Sequence, residues 1–341
     1  MTGVDGVTGV TGVSVVIPTA GRPSLAGVLR ALAREDPPPV PVEVLVVHDR
    51  RGAGPAAARN LGWRAARFPW VAFLDDDVVP GPGWLADLVA DLRVPARVGG
   101  VQGRVRVPLP GDRRPTDRER GTAGLAGARW ITADMAYRRA ALATAGGFDE
   151  RFPRAYREDA ELAYRVARAG WRLVKGRRRV DHPVRPEGPW ISLRAQRGNA
   201  DDALLRRLYG RAWRRELGLP PGRRARHVAV TVAGAVTVAG GVVALASRAR
   251  PRVRPGVAAG VALAGAGWLA GTAEFAAARI APGPRTGREI AVMAATSVLI
   301  PPLATAHWAR GWWAARRARP VEPPRRAGGW RAPAPPPGRA S

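Results

Sequence analysis

The chain has no cysteine, so disulfides and thiolate metal sites are excluded. Four histidines in 341 residues leave little room for a His-rich zinc site. Lysine is nearly absent: Lys175 is the one lysine, and every other basic residue is arginine. Acidic residues become scarce after residue 202. Residues 1–202 carry 32 basic and 23 acidic residues, whereas residues 203–341 carry 23 basic and 4 acidic, so most of the net charge of +28 sits in the last part of the chain. Heavy use of Ala, Gly and Pro beside arginine reads as GC-rich coding, so the arginine count by itself does not indicate nucleic acid. Aromatics are sparse in the basic stretches and no recognisable nucleic-acid motif is present, which argues against such a partner. The N-terminus lacks a basic-then-apolar leader, so residues 1–220 are expected in the cytoplasm.

What the basic part does contain is apolar runs. Residues 228–246 hold no charge over 19 positions. At about 1.5 Å per residue this spans about 28 Å, close to the roughly 30 Å of bilayer hydrocarbon. A second run, 257–272, is Gly/Ala-rich, and a third, 290–307, is interrupted by Pro301-Pro302. Arginines flank all three, a pattern that suits anionic headgroups. Two to three membrane helices are therefore expected over 226–310. The alternative is a bundle of buried soluble helices. Residues 1–12 read as a disordered lead-in and 320–341 as a disordered basic, Pro-rich tail.

Residues 13–218 alternate strand and helix signals and are expected to form one α/β domain. Strands are predicted at 13–18, 42–47, 70–74 and near 100–107, and helices at 24–34, 54–66 and 84–92. The strands are too apolar for a one-sided sheet. They imply a mostly parallel sheet covered by helices on both faces, with ligands at the carboxyl ends of the strands. Val71-Ala72-Phe73-Leu74 runs directly into Asp75-Asp76-Asp77 at such an end. Three adjacent carboxylates repel one another, and a hard divalent cation relieves that conflict. A solvated acidic turn is the plainer reading. His48-Asp49 follows the second strand. Farther along, Glu158 and Asp159 open a helix with an apolar face at Leu162 and Val166, where they either cap the helix or do chemistry.

Taken in order, these blocks resemble the family 2 glycosyltransferases of the GT-A fold. The matching stretches are VSVVIPT (13–19), GPAAARNLG (54–62), FLDDD (73–77), ADMAYRRAALATAGGFDERF (133–152) and EDAELAYRVARAGW (158–171). They cover about half the chain. The resemblance implies a nucleotide-diphosphate sugar bound across the strand ends with Mg²⁺ or Mn²⁺. It implies Asp75 and Asp77 as metal ligands, with Asp75 or Asp76 reaching the ribose or the metal. Pro18, Thr19, Asp49, Arg59 and Asn60 fall at nucleotide-pocket positions. Asp159 fills the general-base position of inverting members, with Glu158 as its support. His182 falls where some members place a further metal ligand, or is a turn histidine before Pro183. Two departures stand out. His48-Asp49-Arg50-Arg51 replaces the family's frequent Asp-Asp-Gly-Ser, and Asp134 stands where a small or amide residue is frequent, so acceptor contacts are expected to differ.

The expected protein is thus a metal-dependent transferase at the cell membrane, with its catalytic domain cytoplasmic. It would move a sugar to a hydroxyl of a lipid-linked or cell-envelope glycan acceptor. A polyprenyl-phosphate sugar synthase is the alternative within the same class. A non-catalytic basic membrane or nucleic-acid-binding protein is the alternative outside it.

Overall fold

A computed structural model describes residues 9–246 and 255–321. The lead-in up to residue 8 and the tail from residue 322 lie outside the described residues. The first half reads β1 (Val13–Thr19), α1 (Leu25–Ala33), β2 (Val42–His48), α2 (Pro55–Ala65), β3 (Trp70–Leu74), β4 (Val79–Pro80), α3 (Trp84–Asp91) and β5 (Val98–Arg106). Then come α4 (Asp117–Ala123), β6 (Asp134–Arg138), α5 (Arg139–Ala145), α6 (Glu158–Arg168), β7 (Arg172–Asp181), α7 (Ile191–Ala195), α8 (Asn199–Tyr209) and α9 (Trp213–Glu216).

The strands form one seven-stranded sheet in the order β2-β1-β3-β6-β5-β7-β4. Strands β1, β2 and β3 pair in parallel, and β5 pairs in parallel with β7; β6 is antiparallel to both β3 and β5, and β4 to β7. Five strands therefore run one way, as expected of a GT-A sheet, and the reversal of β6 makes the sheet mixed. Side-chain alternation sends Val13, Val15, Ile17, Trp70, Ala72 and Leu74 to the face covered by α1 and α3. It sends Val16, Val71, Phe73, Met135 and Tyr137 to the face covered by α2, α5 and α6. Both faces are buried, which is why these strands read as continuous apolar runs. The strand ends beyond Thr19 and Leu74 open side by side, and the candidate site forms there.

A third apolar cluster, built from Phe152, Tyr164, Leu205, Leu208 and Trp213, fastens α8 and α9 to α6. Three long helices follow: α10 (Arg224–Ala246), α11 (Pro255–Ile280) and α12 (Gly287–Ala314). The first two lie side by side as an antiparallel pair. A Cβ at Gly240 would lie 2.3 Å from a Val261 methyl, and one at Gly271 would lie 2.5 Å from a Val230 methyl, so only glycine allows this approach. The helices run longer than the apolar runs in the sequence. The second continues through Glu274 to Ile280. Pro301 and Pro302 lie inside α12 without ending it. By length and composition the helices at Arg224–Ala246, Pro255–Ile280 and Gly287–Arg317 are each apolar enough to cross a membrane.

Candidate active site

The loop after β3 turns its three carboxylates in three directions. Asp75 accepts a hydrogen bond from Arg59 at 2.8 Å. Asp76 faces the opposite way: it accepts from Thr19 Oγ1 at 2.6 Å and from Arg22 at 2.8 Å. Asp77 meets Arg185 Nε at 3.0 Å and His182 Nε2 at 3.7 Å. Divergence is how three adjacent acids coexist at the rim of a core. Burial, then the charge of Asp75, push the Asp77 carboxyl above its ordinary range. A carboxylate in that state gains from any further cation beside it.

Arg59 joins the two chemical blocks of the sequence. It lies in α2 and is 2% exposed. One side of its guanidinium bonds Asp75, and the other bonds Glu158 at 2.8 Å, at the start of α6. The cation sits over the Phe148 ring, 5.6 Å from the centroid. Helix α6 therefore begins against the carboxylates after β3. Its entry is backbone-specific, because Arg157 adopts a left-handed φ of 78°. The Arg157 side chain is held by Tyr156 and Asp202, and Arg154 grips Asp201 at 2.7 and 2.8 Å, so α8 supports this turn.

Glu158 is buried and Asp159 half-buried. Burial raises the Glu158 carboxyl, with the Asp159 charge adding to it and Arg59 opposing. Burial likewise raises Asp159, opposed by the Ala160 amide and Arg59, while Asp75 pushes the same way as burial. Asp159 Oδ1 accepts from the Ala160 amide at 2.7 Å, which leaves its other oxygen for a ligand. A partly accessible carboxylate with a raised pKa, close to an ordered arginine, is equipped to take a proton.

The remaining expected site residues divide into two groups. Pro18 and Thr19 end β1, and Thr19 touches the site through Asp76. Asp49 folds the next loop, accepting from the amides of Ala53 at 2.9 Å and Gly54 at 2.8 Å. Asn60 has no polar group to spare for a nucleotide. Its amide donates to the Phe148 carbonyl and to Glu150, and its oxygen accepts from Trp63 Nε1 and the Phe148 amide. It staples α2 to the turn before α6 and so sets the place of Arg59. Asp134 is likewise committed to protein partners. It is fully buried, paired with Arg178 at 2.7 Å and Trp84 Nε1 at 3.1 Å, in the core.

Three residues at the rim of the site were not singled out in the sequence. Arg22 and Arg185 bring cations to Asp76 and Asp77 from loops. Glu187, two residues on from Arg185, pairs with Arg118 of α4 at 2.8 Å. The sequence hint was position: Arg22 follows the first strand end, and Arg185 shares a short loop with His182. Among the described residues, no group of three or more acidic or histidine side chains stands ready-made around one metal point. Asp77 and His182 fit a hard cation as a partial set, to which phosphate oxygens would add.

A mixed sheet of this order, covered by helices on both faces and with carboxylates at its strand ends, is the arrangement expected of a GT-A domain. Residues 29–160 match the model of the family described as Glycosyl transferase family 2. The pre-mycofactocin glycosyltransferases of Mycobacterium tuberculosis strains CDC 1551 / Oshkosh and ATCC 25618 / H37Rv are each 33% identical over 172 residues, covering 44% of this chain. The match spans 36% of each relative, so the chain accounts for little more than a third of their length. Solved structures with some likeness include the mannosyltransferase PcManGT from Pyrobaculum calidifontis in complex with GDP-Man and Mn²⁺. It is 16% identical with a TM-score of 0.46, covering 89% of this chain and 87% of that one. GalNAc-T7 with UDP, GalNAc and Mn²⁺ is 15% identical with a TM-score of 0.44, covering 62% and 52%.

Proposed function

We propose that this chain transfers a sugar from a nucleotide-diphosphate donor to a hydroxyl of a lipid-linked or cell-envelope acceptor, with inversion, at a membrane surface. The observation that carries this reading is the Arg59 bridge. It ties the Asp75 loop to the start of α6 with 2.8 Å contacts on both sides, so donor-side and acceptor-side carboxylates share one fixed frame. Asp159 takes the proton from the acceptor hydroxyl as that oxygen attacks the anomeric carbon. Arg59 and Glu158 keep Asp159 in place. Asp77, His182 and Asp75 are the groups that would hold Mg²⁺ or Mn²⁺, which when bound supplies charge neutralisation at the leaving diphosphate. Arg22 and Arg185 add positive charge at the same rim.

A membrane acceptor is supported by a chain of contacts leading from the site. Asp77 meets Arg185, Glu187 of the same loop meets Arg118, and the adjoining Asp117 meets Arg279 at 2.9 Å, near the end of α11. The site thus lies within one loop and one short helix of the apolar helices. The same contacts favour a second reading, a lipid phosphate as acceptor, which needs no strong base.

The test is Asp159→Asn, with donor binding and turnover measured on one preparation. Donor affinity should hold while turnover with a hydroxyl acceptor falls about 10²–10⁴-fold. A small loss confined to lipid-phosphate acceptors would favour the second reading. Near-normal turnover with every acceptor would reduce Asp159 to a helix cap.

A further inference from the structure

Among the described residues, three helices qualify by length and composition to cross a membrane, but their packing separates them. In the membrane-crossing windows of α10 and α11 no residue is buried, whereas a third of the window in the last helix is buried against the rest of the protein. The buried positions of α12 are Met293, Thr296, Ser297, Ile300, Pro301, Ala304 and Gly311, which recur at helical spacing along one face.

That face is held by the transferase domain at both ends. Near its start, Glu289 accepts from the backbone amide of Asp117, in α4, at 2.9 Å. In its last turns, a Cβ at Gly311 would lie 2.4 Å from the Ala200 Cα of α8. Just beyond, Arg207 donates to the Arg316 carbonyl at 2.9 Å, and Val321 donates to the Leu208 carbonyl at 2.9 Å. From Glu289 to Arg316 a helix runs about 40 Å. Both points rest on the same charged domain, and that domain cannot stand on both sides of roughly 30 Å of hydrocarbon.

The contacts with the other two helices agree. Thr231 lies 3.3 Å from Thr305, Arg224 stacks over Trp308 at 4.5 Å, and Arg279 reaches Thr296 at 2.8 Å and Ser297 at 3.1 Å. These contacts fall at the start of α10 and the end of α11, so α12 crosses the base of that pair and does not run along it.

We infer that α12 is not a membrane span. It lies in the plane of the membrane surface as the seat of the transferase domain, and only the α10–α11 hairpin crosses. Its outer side is apolar at Val298, Leu299 and Trp313, all exposed. Its far end carries Trp308 and Trp312, stacked at 5.4 Å, with Arg207 over Trp312 and Arg316 over Trp313. Tryptophan bodies with arginine heads suit the headgroup level of an anionic bilayer. The inference rests on the membrane attachment proposed above and not on the chemistry of the site.

The absence of native cysteine makes the test direct. Single cysteines are introduced in the full chain as Asp112→Cys, Gly256→Cys and Arg319→Cys, and are labelled with an impermeant maleimide in sealed vesicles of one orientation. Residues 112 and 319 should label from one side and 256 only from the other. Nitroxides at Val298→Cys and Leu263→Cys then report depth. Leu263, 76% exposed in α11, should lie deep, and Val298 about 5–10 Å below the surface. Labelling of 112 and 319 from opposite sides, or equal depth at 298 and 263, would restore α12 as a span. Water-like access at 298 would remove it from the membrane surface. Release of the full chain by carbonate would overturn the attachment itself, and leave the catalytic reading to stand on the Asp159 test.

Discussion

Two buried arginines, Arg59 and Arg279, organise the two working regions of the molecule in different ways. Arg59 sits between two carboxylates, Asp75 and Glu158, with Asp159 nearby, so its surroundings hold more negative charge than it can neutralise. Arg279 meets one carboxylate, Asp117, and otherwise two hydroxyls, Thr296 and Ser297. The first arrangement leaves charge in excess, which suits a site that receives a cation and a proton. The second is a matched pin at the base of the helices.

The contrast can be broken at several points. The largest effect should come from the Asp77 side of the site. If Asp77 holds a divalent ion, EDTA should abolish transfer, and Asp77→Asn should remove most activity while circular dichroism and melting remain near normal. Full turnover in EDTA would sink the metal assignment. Next is Arg59→Met, which strands two carboxylates. A loss of about 3–5 kcal/mol in denaturant unfolding is expected, with part of it recovered when Glu158→Gln is added. Additivity of the two changes would mean that the bridge is not the coupling element.

Arg279→Met should cost less, about 1–3 kcal/mol. Donor affinity should be unchanged, and the proteolytic susceptibility of the α11–α12 connection should rise. A change in donor affinity would show that pin and site are not separate. The pH dependence distinguishes the regions further. Asp77 and Asp159 have folded-state values above their unfolded ones, by burial. The fold therefore binds more protons than the unfolded chain between those values, and stability declines as pH rises through that window. Asp159→Asn should remove part of this slope and raise the melting temperature at neutral pH while lowering turnover. The smallest effect is expected at Gly146, which closes α5 with a φ of 78° and open space around it. Gly146→Ala should cost about 1 kcal/mol and leave turnover intact.

The alternating strands and helices were legible because burial on both sheet faces leaves a local mark, as at 13–18 and 70–74. The two chemical blocks were legible by their residue types and their positions at a strand end and a helix start. The connection between them was not. Arg59 lies 16 residues from Asp75 and 99 from Glu158, and no local pattern records such a pairing. Strand β6 was not among the expected strands: Asp134-Met135-Ala136-Tyr137-Arg138 carries a charge at each end, and its reversed direction is set by its pairing with β3 and β5. Asn60 looked like a ligand contact because of its place in the motif, but a side-chain amide serves equally well as a staple between backbone groups. For α12, composition describes the side chains and not the surface that receives them. Its contact with Ala200 depends on Gly311, which is inconspicuous among 41 glycines.

The hairpin of α10 and α11 carries a consequence for how the protein is made. If the hairpin crosses as inferred above, the chain that links its two helices must be translocated during synthesis. That connection holds Arg248, Arg250, Arg252 and Arg254. Each arginine at the hydrocarbon centre costs roughly 2.5–3.5 kcal/mol by insertion scales, more than the Gly/Ala-rich α11 could offset alone. The two helices should therefore enter together, as one preassembled unit whose glycine contacts form before the arginines reach the far headgroups. Insertion would depend on the full hairpin having left the ribosome, and a chain stopped after residue 246 should remain uninserted.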